Sequence, residues 1–216
     1  MGTYLFDFDG TLVDSMPTFS SIMQGFLDEH EIPYGDDLIK TITPLGYSGT
    51  AEYFFKLGVK RQQEQIQEDL TQRTVHAYTY YIPAKKNVIS VLKQLLAEGY
   101  HLNILTASPH AMLDPCLKRL GIYDLFENVW SCDDFHTTKA NPEIYKMAAE
   151  KMGKPVGQVL FLDDNYNADK TAKAAGMMVC GVYDESSRDY EEEMREITDY
   201  YIRDFSELLG IKWLKD

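Results

Sequence analysis

The fold is decided by the segment TYLFDFDGTLVDS at residues 3–15. Its first part, TYLFDF at 3–8, is apolar and rich in β-forming residues, which predicts a short strand. The strand runs into Asp9-Gly10-Thr11, a typical turn signal. Because successive side chains of a strand point to opposite sides, Asp7 and Asp9 lie on the same side. A strand that ends in two carboxylates indicates a chemical site at its carboxyl end.

Strand and helix patterns alternate along the chain from residue 84 onward. We predict further strands at 101–105, 128–131, 159–162, 177–182 and 199–202, and helices at 85–98, 110–120, 142–152, 168–175, 188–196 and 205–209. Such alternation is typical of a parallel sheet with helices on both faces. The predicted fold class is therefore α/β, a Rossmann-like three-layer α/β/α core. No strand pattern occurs between 15 and 82, so that block is predicted to be an all-helical insertion.

Composition excludes several classes of protein. The chain has 216 residues, with 21 Lys and Arg against 34 Asp and Glu, and a formal net charge of −13. An acidic surface repels nucleic acids and anionic membranes, so neither partner is expected. The cysteines Cys116, Cys132 and Cys180 show no CxxC spacing, which disfavours disulfides and zinc. No apolar run approaches the roughly 18 residues of a membrane helix. We expect a cytoplasmic protein that is a monomer or a weak dimer.

Reactive side chains follow other predicted strands as well. Thr106 ends the strand at 101–105, Asp163 and Asp164 follow the strand at 159–162, and Lys139 lies in a loop before a helix. In open parallel sheets the site lies at the carboxyl ends of the strands. Crowded carboxylates repel each other unless a cation lies between them, and oxygen ligands from several loops suit Mg²⁺. This set of residues fits phosphoryl transfer to a carboxylate nucleophile.

Four motifs together resemble those of the haloacid dehalogenase-like hydrolase superfamily. DFDGTLVDS at 7–15 resembles its first motif, and strand-end Thr106 its second. Lys139 within TKANPEIY resembles the third, and Asp163-Asp164 within FLDDNYNADKTAKAAG the fourth. The first motif is fairly specific alone, whereas the Thr and the Lys are informative only in this order. The likeness is greatest to the phosphatase branch with a small helical cap, which includes phosphoglycolate phosphatase-like and beta-phosphoglucomutase-like proteins.

The resemblance implies a catalytic role for each carboxylate. Asp7 would be the nucleophile, and Asp9 would protonate the leaving oxygen and then activate water. The carboxylates of Asp7 and Asp164 and the backbone carbonyl of Asp9 would hold Mg²⁺, with Asp163 as direct or water-mediated support. The implied activity is a Mg²⁺-dependent phosphatase that acts on a small phosphorylated metabolite through an aspartyl-phosphate.

The resemblance also implies how substrate is bound. Thr106, the turn backbone at Ala107, and Lys139 would bind the phosphoryl oxygens. Residues 15–83 would form the cap that closes over the site, and residues 1–14 and 84–216 the catalytic core. Hinges are expected near 10–17 and 81–86.

The chain departs from the family pattern at three positions. Ala140 stands where a Pro often follows the third-motif Lys, and Asp163 stands where a Gly often precedes the fourth-motif Asp. Ala168 stands where a second acid is frequent, with Asp169 one step later. Asp169 is therefore either a contributor to the metal site or an ordinary acid in the first turn of a helix.

Other activities use a similar set of residues. A phosphomutase would return the phosphoryl group to a sugar, and the same residues would serve it. A non-catalytic phosphate-binding protein would keep the fold but lose the nucleophile or the acid. A dehalogenase needs no metal, and Asp9 with Asp163-Asp164 disfavours it. A phosphonate-cleaving enzyme would need a cap lysine, for which nothing selects Lys56 or Lys60.

Overall fold

A parallel six-stranded sheet organises the larger part of the chain in this computed structural model, which describes residues 2–211 and Trp213. The strands are β1 (Thr3–Phe6), β2 (His101–Thr106), β3 (Asn128–Ser131), β4 (Val159–Asp163), β5 (Met178–Val182) and β6 (Tyr200–Ile202). Their order in the sheet is β3-β2-β1-β4-β5-β6, and every neighbouring pair is parallel. The strand order reverses beside β1, which places a topological switch point at the end of that strand.

Helices fill the connections between the strands. They are α1 (Met16–Glu29), α2 (Leu38–Ile42), α3 (Gly46–Leu57), α4 (Gln63–Tyr80), α5 (Val88–Ala97), α6 (His110–Leu120), α7 (Glu143–Lys151), α8 (Tyr166–Ala175) and α9 (Glu191–Ile197). Short 3₁₀ segments occur at 43–45, 123–125, 132–135, 156–158, 185–190 and 205–210. In the described part of the chain, no helix is both long and apolar enough to cross a membrane.

Both faces of the sheet are covered. Successive side chains of β1 point to opposite faces, so the strand packs against both coverings. Leu5 belongs to a buried cluster with α7 and α8, in which the ring centroids of Tyr145 and Phe161 lie 5.1 Å apart. Phe6 packs on the other face, with its ring centroid 5.9 Å from that of Phe205 and 6.3 Å from that of Phe126. Burial on both faces explains why β1 is apolar throughout. The predicted three-layer α/β/α fold is confirmed.

The chain divides into two compact units, Met1–Asp14 with Pro83–Asp216 and Ser15–Ile82. The smaller unit contains α1 to α4 around its own buried cluster, which includes Phe26, Phe54 and Leu70. Within it, the Arg73 guanidinium donates to Glu29 at 2.7 and 2.6 Å and to Asp69 at 2.7 Å. This bidentate network ties α1 to α4.

Some local predictions differ from the structure. The first strand ends at Phe6 and not at residue 8, because the chain begins to turn at the site. Ser15 directly precedes α1, and its side chain makes no capping hydrogen bond within the described residues. The helix predicted from residue 85 begins at Val88, because Asn87 has a positive φ of 65°.

Candidate active site

The first element of the site is the turn that follows β1. The Asp7 backbone N–H donates to the Leu162 carbonyl at 2.8 Å, which extends the β1–β4 pairing by one residue. The Asp7 side chain is buried. Gly10 then turns the chain with a φ of +72°, a conformation that glycine adopts without strain. A Cβ at Gly10 would lie 2.4 Å from an Asp164 carboxylate oxygen. The glycine is therefore required both by the turn and by the closeness of Asp164.

Lys85 holds this turn from a distant part of the sequence. Its ammonium donates to the Gly10 carbonyl at 2.5 Å, the Tyr183 carbonyl at 2.7 Å and Asp184 Oδ2 at 3.0 Å. These bonds engage all three N–H groups of the lysine. Lys85 also pairs through its backbone, since its N–H donates to the Leu12 carbonyl at 3.0 Å. The sequence analysis did not identify this residue, and no local pattern marks it.

The second element is the end of β4. Asp163 Oδ1 accepts the Asn165 backbone N–H at 2.8 Å, which fixes the start of the loop before α8. The Asp164 carboxylate lies against Gly10 and accepts the Thr11 hydroxyl at 3.3 Å. Both carboxyl groups are almost completely buried.

Lys139 joins the two elements. Its ammonium donates to Asp7 Oδ1 and, at 2.8 Å, to Asp163 Oδ2. The Tyr145 hydroxyl lies 3.2 Å from the Lys139 carbonyl oxygen and 3.1 Å from the Ala168 carbonyl oxygen, so the loop lies against both α7 and α8. Burial by itself would lower the pKa of Lys139, but the charges of Asp163 and Asp7 raise it well above its usual value. The lysine is therefore a permanent cation between two carboxylates.

One ammonium does not balance the negative charge of this cluster. Burial raises the pKa of Asp163 to about 7, although Lys139 opposes the shift. Burial, followed by the charges of Asp163 and Asp7, raises the pKa of Asp164 well above its usual value. The carboxyl groups of Asp7, Asp163 and Asp164 each offer one oxygen, and these three oxygens lie within 4.8 Å of one another. A divalent cation fits here, because oxygen ligands suit it and its charge offsets the excess of carboxylates.

The third element is the loop between β2 and α6. Thr106 ends β2 with a buried side chain, and its hydroxyl oxygen accepts the Ser108 backbone N–H at 3.0 Å. Ala107 lies between them and is exposed. The Ser108 hydroxyl donates to Asp9 Oδ2 at 2.5 Å. Asp9 therefore has a partner that the sequence analysis did not select.

The predicted residues group as follows. Asp7, Lys139 and Asp163 are in direct contact, and Asp164 completes the carboxylate cluster. The Asp9 side chain lies outside that cluster and contacts Ser108 in the loop after β2. The predicted role of the Asp9 backbone carbonyl as a metal ligand stays a prediction.

Asp169 lies in the first turn of α8, as one of the two open interpretations states. It is completely buried, and neither carboxylate oxygen has a hydrogen-bond partner among the described residues. Burial, followed by the charges of Asp163 and Asp164, raises its pKa well above the usual value. Asp169 is therefore a buried first-turn acid, and its contribution to a metal site stays a prediction.

The comparisons with known proteins identify the family. The model of the haloacid dehalogenase-like hydrolase family matches residues 4–182, which include every site residue predicted from the sequence. The chain belongs to this family. A phosphoglycolate phosphatase of Escherichia coli (strain K12) is 28% identical over 203 residues, covering 82% of this chain and 79% of the relative. The pyrophosphatase PpaX of Halalkalibacterium halodurans is 26% identical over 218 residues, covering 100% and 98%.

Solved structures of the family share the same fold. The crystal structure of a protein from Haemophilus somnus 129pt, described as a predicted phosphoglycolate phosphatase, superimposes with a TM-score of 0.81 at 22% identity and covers 97% of each chain. At this identity the likeness establishes the fold alone. The family resemblance of the four motifs and the α/β core predicted from the alternation of strands and helices are both confirmed.

Proposed function

We propose that this protein is a Mg²⁺-dependent phosphatase that hydrolyses a small phosphorylated metabolite through an aspartyl-phosphate on Asp7. The observation that carries the proposal is the shared ammonium of Lys139. It contacts Asp7 and Asp163 together, and the oxygens of Asp7, Asp163 and Asp164 lie within 4.8 Å of one another. These contacts support the proposal, because a buried carboxylate, a cation and two further carboxyl groups lie close together.

The class of reaction agrees with the comparisons. The chain is a hydrolase of phosphoric monoesters, as predicted, because relatives that match most of its length are phosphatases of this hydrolase family. The named substrates of those relatives, phosphoglycolate and pyrophosphate, are small phosphorylated molecules. We therefore propose the same size class of substrate here.

In the first step an Asp7 carboxylate oxygen attacks the phosphorus atom. The new bond joins Asp7 to phosphorus, the ester bond breaks, and Asp9 gives its proton to the leaving oxygen. Lys139 already contacts Asp7 and would also contact a phosphoryl oxygen transferred to it. Thr106 would donate its hydroxyl proton to another phosphoryl oxygen, since the hydroxyl oxygen already accepts from Ser108.

In the second step Asp9 acts as the base. It takes a proton from a water molecule, whose oxygen attacks phosphorus and breaks the bond to Asp7. Inorganic phosphate leaves and the Asp7 carboxylate is restored. When bound by Asp7, Asp164 and the Asp9 carbonyl, with Asp163 in support, Mg²⁺ would offset negative charge on the phosphoryl oxygens.

The two units suggest a division of roles. We propose that the helical unit Ser15–Ile82 is a cap that reads the substrate, while the other unit carries the chemistry. The monomeric or weakly dimeric state, the cytoplasmic location and the lack of nucleic-acid and membrane partners stay predictions from composition.

The test is hydrolysis of 4-nitrophenyl phosphate by wild type, Asp7→Asn and Asp124→Asn, with Mg²⁺ and with EDTA. Asp124 is an exposed acid in the 3₁₀ segment 123–125, so Asp124→Asn is the matched control. We expect metal-dependent turnover that falls at least about a thousandfold in Asp7→Asn and stays unchanged in Asp124→Asn. Mass spectrometry of acid-quenched wild type should detect one added phosphoryl group.

Each alternative gives a different result. Turnover that persists in EDTA contradicts the metal requirement, and an active Asp7→Asn contradicts the nucleophile. Phosphorylated sugars serve as a second set of substrates. Conversion to an isomer without release of inorganic phosphate would identify a phosphomutase. Binding of phosphate without turnover of any substrate would identify a non-catalytic phosphate-binding protein.

A further inference from the structure

The hydrogen bond between Ser108 and Asp9 joins two loops that are 99 positions apart in sequence. The Ser108 hydroxyl donates to Asp9 Oδ2 at 2.5 Å. A hydrogen bond to a charged carboxylate is stronger than one between neutral groups. Ser108 therefore selects one orientation of the Asp9 carboxyl group.

Ser108 is itself held on both sides. On one side its backbone N–H donates to Thr106 Oγ1 at 3.0 Å. On the other side, the His110 ring lies between Asp114 Oδ1 at 2.8 Å and Asp134 Oδ2 at 2.9 Å. Asp134 also accepts the Ser131 backbone N–H at 2.9 Å, which anchors it at the end of β3. The loop is thus tied to its own strand, to α6 and to β3.

We propose that Ser108 is the positioning residue for Asp9. The inference rests on the proposed function, in which Asp9 is the acid and then the base. Because the Ser108 hydroxyl occupies Oδ2, the proton that Asp9 gives to the leaving oxygen is carried on Oδ1. Ser108 keeps its own proton in both steps, so the balance of the reaction does not change.

This role differs from that of Thr106. Thr106 would contact the phosphoryl group, whereas Ser108 acts only through Asp9. Loss of Ser108 should therefore slow the protonation of the leaving oxygen and leave phosphate binding intact. The rate with a leaving group that departs without protonation should hardly depend on Ser108, because general acid catalysis contributes little to that reaction.

The test compares two aryl phosphates of similar size. Phenyl phosphate has a poor leaving group that needs a proton, and 2,4-dinitrophenyl phosphate has a good one that does not. For Ser108→Ala we expect kcat/KM to fall about tenfold with phenyl phosphate and less than about twofold with 2,4-dinitrophenyl phosphate. Ser108→Thr keeps the hydroxyl and should stay within about threefold of wild type with both.

Ser90→Ala is the matched control. Ser90 is an exposed serine of α5 whose hydroxyl donates to the Asn87 carbonyl at 2.9 Å, and its loss should change neither rate. The unfolding midpoint in urea is measured for all variants, and the rates are compared under conditions in which each variant is fully folded.

The outcomes separate the two proposals. An equal loss with both substrates, or no loss with either, overturns the role of Ser108 while wild-type turnover upholds the phosphatase. Failure of Ser108→Thr to keep activity with phenyl phosphate also overturns it. A wild type that hydrolyses neither substrate, with Mg²⁺ present, overturns the proposed function and the inference together.

Discussion

Replacing Asp169 by asparagine should make this protein more stable at neutral pH. Asp169 has 0% exposure, and in the described part of the chain neither carboxylate oxygen has a hydrogen-bond partner. Burial, followed by the charges of Asp163 and Asp164, raises the pKa of Asp169 well above its usual value. Asparagine has nearly the same shape but stays neutral at every pH.

The sign and size of the effect follow from proton linkage. The pKa of Asp169 is higher in the folded than in the unfolded protein, so between these two values the folded state binds more protons. The free energy of unfolding then decreases as pH rises, by at most about 1.4 kcal/mol per pH unit. From pH 5 to pH 7 the loss reaches at most about 3 kcal/mol. At pH 4 the gain from Asp169→Asn should be small, because a buried amide without partners is also costly.

The assay is urea unfolding of wild type and Asp169→Asn at pH 4, 5, 6 and 7 with EDTA present. Asp163 and Asp164 occur in both proteins, so the difference between the two unfolding free energies isolates Asp169 to a first approximation. We expect this difference to grow with pH, and the exposed control Asp124→Asn to show none of this growth. A difference that stays constant with pH would refute the argument, because Asp169 would then titrate as an ordinary acid.

Three further predictions concern the supports of the site. Gly10→Ala places a Cβ 2.4 Å from Asp164 at a φ of +72°, so thermal unfolding should show both lost stability and a smaller stabilisation by added Mg²⁺. Lys85→Met removes the donor for three oxygen acceptors and should lower the free energy of unfolding in urea by about 3 kcal/mol. The control Lys86→Met, at a side chain that is 82% exposed, should lower it by less than about 1 kcal/mol. Asp114 and Asp134 raise the pKa of His110. Its hydrogen bonds to these carboxylates therefore stabilise the fold fully below the pKa of the unfolded protein, and this stabilisation is lost as pH rises through the pKa of the folded protein. His110→Gln should lower the free energy of unfolding at pH 6 and much less at pH 9.

Much of the fold could be predicted because its signals are local. The strands β2 and β4 are short, mostly apolar runs followed by polar residues, and α6 ends directly before Gly121, which adopts the left-handed conformation. Element boundaries were less predictable where one residue's backbone decides them. The start of α5 depends on the positive φ of Asn87, for which the sequence carries no clear signal.

The sequence by itself determined the alternation of strands and helices, the four motifs and the candidate residues that follow the strands. These features depend on neighbours within a few positions, and local propensity and periodicity are sufficient to specify them. Only the tertiary structure decided that Asp169 is completely buried, that Ser108 donates to Asp9, and that Lys85 holds the Gly10 turn. The physical reason is that each of these facts depends on which chain segments the sheet register brings within hydrogen-bond distance, and that register joins residues far apart in sequence.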